Sequence, residues 1–302
     1  MTQRPSLPIL QALRAVAASV VVMVHASQVV MNHAARPGLF VTLYPFGALG
    51  VDVFFVISGF VMTYTSSRRN GWRDTLTFLR ARAIRIYPIY WIWTSVMLLL
   101  WLGGVARHDL HPPSIWRFIL RSYLLLPVWD GRVYSPLLAQ GWTLTFELLF
   151  YLAFGIAIAG AWRARTFFVI CMLVLAASVA FRLPDGPTRH VLTNWKMLEF
   201  VAGMVIADIT IKYAGAIRFL AGLKMPRWLT YLGDASYSIY LVHTLFLLAL
   251  VFAYKHLHQL AQVQADLLVL GYACVAIWLS SLTYRWMEKP LMQRLKWAVP
   301  RP

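Results

Sequence analysis

The sequence predicts an all-α, polytopic bundle of transmembrane helices, and three observations carry that prediction. Of the 302 residues, 60% are hydrophobic and only 13% are charged, about half the charged share of a soluble domain. The apolar residues gather in runs of about 18 or more, the length that crosses a bilayer. The 28 basic residues, set against 11 acidic ones, cluster between those runs, as in positively charged cytoplasmic loops. The net charge of +17 therefore has a membrane explanation. A nucleic-acid partner is not expected, because a basic patch serves that purpose only when a fold presents it on one face.

Eight spans follow, at about 8–30, 46–65, 84–103, 142–162, 166–182, 191–211, 231–254 and 266–285. The first is long, carries Arg14 and His25 and is followed by no small-residue cleavage site, so it reads as a retained span rather than a cleaved signal. The second begins in the run Gly50-Val51-Asp52-Val53-Phe54-Phe55, and the third follows the arginine-rich stretch 66–85. Between the third and fourth spans, Trp116, Ile119, Leu120 and Tyr123 recur at helical spacing, with Arg117 and Arg121 one turn apart. That pattern predicts a helix in the outer interface or a re-entrant lid. The fifth and eighth spans hold Cys171 and Cys274, expected to be buried thiols and not a disulfide. The chain, 1–302, reads as one membrane domain with no room for a large soluble one.

Orientation follows from the connections. Residues 66–85 carry Arg68, Arg69, Arg73, Arg80, Arg82 and Arg85 against Asp74 alone; residues 212–230 carry Lys212, Arg218, Lys224 and Arg227; the tail carries Lys289, Arg294, Lys296 and Arg301. With eight spans all three fall on one side, which places both termini in the cytoplasm.

Ionisable groups inside spans cost several kcal/mol and mark functional positions. Here they are Arg14, His25, Asp52, Arg82, Arg85, Glu147, Glu199, Asp208 and His243. Arg14 and His25 are eleven residues apart, about 20° from eclipsed and about 16 Å apart along one helix. Asp52 and Glu147 both enter from outside and are expected near the level of His25. A carboxylate beside an imidazole fixes its tautomer and raises its basicity, as a general base for a hydroxyl requires. For Asp52, tying helices together or shaping a cavity is an equal alternative. Arg82 and Arg85 share a helical face, and a guanidinium fork fits phosphate oxygens, although flanking positive charge explains them by spacing alone. Tyr237, Tyr240 and His243 repeat every three residues, a stripe read as packing and polar cavity lining, with His243 outside the catalytic set.

Five ordered stretches resemble the acyltransferase 3 family of bacterial membrane O-acyltransferases. They are Leu10-Gln11-Ala12-Leu13-Arg14 through His25, Gly50 through Phe60, Arg82-x-x-Arg85-Ile86-Tyr87-Pro88, Trp142-x-Leu144-x-x-Glu147 with Phe150-Tyr151, and Leu232 through His243. The opening stretch and short length look like the exopolysaccharide, succinoglycan-type acetylating branch. The resemblance implies an acyl-CoA donor, acetyl-CoA in that branch, handled from the cytoplasm by Arg14, Arg82 and Arg85. It implies His25 as the essential catalytic residue and Glu147 as an active-site carboxylate. Asp52 joins them as a candidate to orient His25. No metal is implied. The acceptor would be a polysaccharide or lipid-linked glycan outside a bacterial inner membrane. The family usually shows ten spans, two more than are read here. A transporter or flippase for a lipid-linked sugar also places charges within a bilayer, and a membrane acyltransferase acting on lipids or other small acceptors is the third alternative.

Overall fold

The structure, a computed structural model, describes residues 5–31, 39–42, 47–106, 110–128, 135–161, 164–256 and 264–295. Lys296 and Arg301 of the basic tail lie outside the described residues. Among those described there is no strand. The helices are α1 (Pro8–Met31), α2 (Leu39–Thr42), α3 (Ala48–Ser66), α4 (Trp72–Leu102), α5 (Ile115–Tyr123), α6 (Gly141–Ala159), α7 (Arg165–Ala180), α8 (Pro187–Leu192), α9 (Met197–Lys212), α10 (Ala214–Gly222), α11 (Arg227–Asp234), α12 (Ser236–His256), α13 (Ala265–Thr283) and α14 (Lys289–Leu295). A π-helical turn, Tyr284–Glu288, joins the last two.

This is the all-α, membrane-spanning class that the sequence predicts. Among the described residues, five helices are long and apolar enough to cross a bilayer, or seven when each of two bent pairs counts as one span. The apolar α7, with 16 residues, is shorter. The difference from eight unbroken spans comes from the two bends and from the shortness of α7. The stretch read as a seventh span is broken at Ala235, where α11 and α12 meet at 72°. The expected burial of the two thiols is overturned, since Cys171 and Cys274 are both free and exposed. On an apolar helix, sequence spacing did not say which face turns outward, and a thiol behaves there as a small hydrophobe.

The packing divides the chain into two compact units, residues 1–57 with 210–290 and residues 58–209 with 291–302. In the first, α1 buries Ala12, Ala15, Ala17, Ala18 and Ala26, small residues that let neighbouring backbones approach closely in a membrane. Ala18, Val22 and Ala26 pack with Ile239 of α12 and with Val269, Ala273 and Ala276 of α13. Asp266 fastens α2 to α13, its carboxylate accepting the Leu39 and Phe40 amides at 3.0 Å each. At the π-helical turn the buried Glu288 accepts the Ser238 hydroxyl at 2.6 Å.

In the second unit α4 starts at Trp72, so Arg73, Arg80, Arg82 and Arg85 are helical rather than part of a loop. It runs antiparallel to α6: the Gly71 amide donates to the Ile158 carbonyl (2.9 Å), and the Thr75 hydroxyl to the Gly155 carbonyl (3.1 Å). At the other end of α6, a Cβ on Gly141 would meet the Tyr90 hydroxyl. The helix α6 therefore lies beside residues 71–90 of α4, and the helix that holds the span read at 84–103 begins twelve residues earlier, at Trp72. The rest of α4 is accompanied by α5, where Trp101 and Phe118 meet edge to face at 6.0 Å. Three α4 side chains then donate to the carbonyls that end α5: Tyr90 to Ser122 at 2.7 Å, Trp91 to Tyr123 at 3.0 Å and Tyr87 to Leu124 at 3.2 Å. Orphan carbonyls at a helix end must find such partners where water is excluded. A helix in the 104–141 segment is thus present, folded back along α4, with Trp116 82% exposed on its outer side.

Candidate active site

In the first unit the uninterrupted α1 carries both Arg14 and His25, so the spacing inferred for them holds, and both side chains are half-buried. The His25 Nδ1 lies 2.9 Å from the Val21 carbonyl oxygen, one turn back on α1. The same atom is 3.3 Å from Nε2 of His243, and the two rings meet edge to face with centroids 4.9 Å apart. His243 is fully buried, and its Nδ1 lies 3.0 Å from the Ile239 carbonyl oxygen.

One proton arrangement suits all three short contacts of a neutral pair. Each carbonyl needs a donor facing it, so each ring carries its proton on Nδ1. The His243 Nε2 is then a lone pair that accepts the second share of the His25 Nδ1–H. Moving either proton to Nε2 would set a nitrogen lone pair against a carbonyl oxygen. The consequence is that His25 Nε2 is unprotonated on a half-buried ring, the form a general base takes.

Asp52 lies on α3, whose first turns pack against α1: a Cβ on Gly50 would stand 2.7 Å from Val21 Cγ2 and 2.8 Å from the Ala17 carbonyl oxygen. Two residues further on, Asp52 falls about two turns below His25 along α1, nearer the level of Arg14.

In the second unit Glu147 of α6 receives the Ser58 hydroxyl on Oε1 at 3.0 Å and the Tyr151 hydroxyl on the same oxygen. The Arg82 guanidinium lies over two rings, 5.5 Å from the centroid of Phe78 and 5.8 Å from that of Tyr151. Cation–π contact of this kind replaces part of the hydration an arginine loses inside a bundle. Its Nε is buried and has no hydrogen-bond partner. Arg85, one turn further along α4, is half-buried. Glu147 and Arg82, assigned separate roles from sequence, thus belong to one cluster around Tyr151. The other intramembrane acids have local partners: Asp208 accepts the Thr166 hydroxyl at 2.5 Å, and Glu199 pairs with Lys196 at 3.4 Å. Among the described residues, no three His, Cys, Asp or Glu side chains gather to hold a metal ion.

The sequence reading set His243 aside and did not single out Ser58. An imidazole within an apolar span was itself the signal for His243. Nothing in the spacing links it to His25, 218 residues earlier. Tyr151 was visible only as part of the Phe150-Tyr151 pair that follows Glu147, with no role given to it.

Comparison with known proteins bears on this arrangement. An acyltransferase domain, that of the acyltransferase 3 family, matches residues 7–222. An exopolysaccharide production protein of Rhizobium meliloti, ExoZ, is 31% identical over 83% of this chain and 91% of its own length. The acyltransferase MdmB of Streptomyces mycarofaciens is 26% identical over 54% of this chain and 46% of its own. An O-acetyl transferase of Shigella phage Sf6 is 26% identical over 44% and 41% respectively. No solved structure matches the chain. With the family model covering most of the chain and the Rhizobium protein aligned along nearly all of its own length, the chain belongs to the acyltransferase 3 family and is a membrane O-acyltransferase.

Proposed function

We propose that the protein moves an acetyl group from cytoplasmic acetyl-CoA to a hydroxyl of an extracytoplasmic polysaccharide, or of its lipid-linked precursor, in a bacterial inner membrane. Similarity to a protein named for exopolysaccharide production and to a phage O-acetyl transferase supports the acceptor class and the acyl group. The basic connections support cytoplasmic termini and a donor arriving from that side. The observation that carries the chemistry is the His25 Nδ1–H engaged by the Val21 carbonyl, which leaves the Nε2 lone pair for an acceptor hydroxyl.

In the step proposed, His25 Nε2 takes the hydroxyl proton as the acceptor oxygen attacks the thioester carbonyl. The C–S bond then breaks, and the proton passes from Nε2 to the departing coenzyme A sulfur. Arg14, Arg82 and Arg85 are assigned to the phosphates of coenzyme A, whose oxygens accept from guanidinium groups. The unpartnered Nε of Arg82 leaves a donor for such an anion. Glu147 serves as the site carboxylate through its hydrogen bonds to Tyr151 and Ser58, and Asp52 through its place on the helix packed against α1. The test is glycan analysis of a deletion strain. A missing acetyl ester on one sugar, restored by the wild-type gene and not by His25→Ala, is the expected result; unchanged ester content would overturn the proposal.

A further inference from the structure

Polar groups in the bundle outside the roles above include Glu288, Arg165 and His243, and the first two have structural duties. Glu288 accepts from Ser238. Arg165 donates to the carbonyls of Ser66, at 2.5 Å, and Arg69, and to Asn70 Oδ1 at 2.8 Å, closing the end of α3. His243 differs, because its bonding serves another side chain.

We infer that His243 is a positioning residue for the acyl transfer, a neutral hydrogen-bond acceptor that holds His25 in the Nδ1–H tautomer and strengthens its hold as His25 becomes cationic. The inference rests on the reading of His25 as the base. Its own support is geometric. The Ile239 carbonyl fixes the His243 proton on Nδ1, so Nε2 has no proton and points its lone pair at His25 Nδ1, 3.3 Å away. The His25 Nδ1–H is shared between Val21 and His243, and Val21 belongs to the same helix turn as His25. A one-turn carbonyl bond alone lets the ring rotate about its own axis. A second acceptor from α12 fixes the ring plane, and with it the direction of Nε2. When Nε2 receives the acceptor proton, the Nδ1–H becomes a charge-assisted donor, and an imidazole lone pair in a buried, low-dielectric place responds strongly. The complete burial of His243 keeps that lone pair from being spent on water. No proton leaves or enters His243 in this step.

The test uses inverted membrane vesicles, which retain their own glycan acceptor, supplied with radiolabelled acetyl-CoA. Three variants are compared at equal abundance in the membrane. His25→Ala tests the underlying reading and is expected to remove incorporation. His243→Phe keeps an aromatic ring but has no acceptor. It is expected to lower the maximal rate about 100-fold, the scale of a lost acid–base contribution, with the KM for acetyl-CoA within about twofold of wild type. His243→Gln offers an amide oxygen near the Nε2 position and is expected to recover at least about a tenth of the wild-type rate, as an acceptor role requires. A packing role would reverse the order, with Phe tolerated and Gln not. That outcome, or wild-type rates in His243→Phe, overturns the inference while leaving His25 in place. Incorporation by His25→Ala would remove both.

Discussion

The two units hold polar groups inside a membrane bundle by opposite means. In the first, His25 and His243 need no charged partner in the neutral pair: each proton is directed by the carbonyl one turn back on its own helix. In the second, a carboxylate and a guanidinium are held by side chains from three helices, Ser58 on α3, Tyr151 on α6 and Phe78 on α4. The difference separates readiness from stability. A ring whose proton is directed by its own backbone keeps a lone pair to spend on a substrate, whereas Glu147 spends its oxygen on two hydroxyls and helps tie helices together. The largest effect should therefore follow from the first unit. His25→Ala should lower transfer by about 10³-fold or more while the protein still accumulates and melts near wild type, since the loss is confined to a half-buried ring and the donor it gives to His243, about 1 kcal/mol. A clear loss of thermal stability in detergent would assign His25 a structural part instead.

Glu147→Gln tests the second unit. The amide can still accept from Ser58 or Tyr151, but it removes the negative charge of the cluster that Arg82 shares through the Tyr151 ring. Neutralising this half-buried carboxylate weakens charge-assisted hydrogen bonds from two hydroxyls, a loss of about 1.5–3 kcal/mol, so this variant should both lose transfer and melt lower. The joint loss distinguishes it from His25→Ala. Unchanged melting would mean that Arg82 is balanced without Glu147. Tyr151→Phe should do less, about 1 kcal/mol for a half-buried acceptor that keeps its Ser58 donor.

A close approach sets the next effect. A Cβ on Gly59 would run into the backbone carbonyl of Phe200, and that carbonyl cannot swing aside as a side-chain end can. Phe200 is also stacked on Phe150 at 4.5 Å, three residues beyond Glu147. Gly59→Ala should cost about 1–3 kcal/mol as overpacking, read as a lower melting midpoint. An unaffected midpoint would show that α3 and α9 slide apart easily.

Much of this was legible beforehand, for definite reasons. Apolar length and arginine placement predicted the helical membrane class because the bilayer permits few other folds. The Arg14-to-His25 relation was legible because it lies within one helix. The pairing of His25 with His243 was not, since it depends on how α1 and α12 pack. The start of α4 at Trp72 was hidden because arginines there read as loop charge; stacking on Phe78 and Tyr151 is what lets Arg82 sit inside the bundle. The break at Ala235 lies at Gly233-Asp234-Ala235-Ser236, a local turn signal that a reading by apolar length alone passes over.

Asp266 sharpens the comparison from its other side, as a carboxylate in the first unit with a purely architectural role. Its two oxygens each accept one amide at the start of α2, the way an acid satisfies donors that a helix N-terminus cannot use internally. Asp266→Ala leaves the Leu39 and Phe40 amides without these acceptors, a loss of about 1–2 kcal/mol of the kind measured for helix caps. Because α2 has only four residues, that loss is enough to release it locally without unfolding α13. Faster hydrogen exchange at the Leu39 and Phe40 amides is expected, with acetyl transfer within about twofold of wild type. Transfer falling as far as in His25→Ala would mean that α2 itself helps shape the environment of the base, and the division between a reactive imidazole pair and structural carboxylates would fail within the first unit.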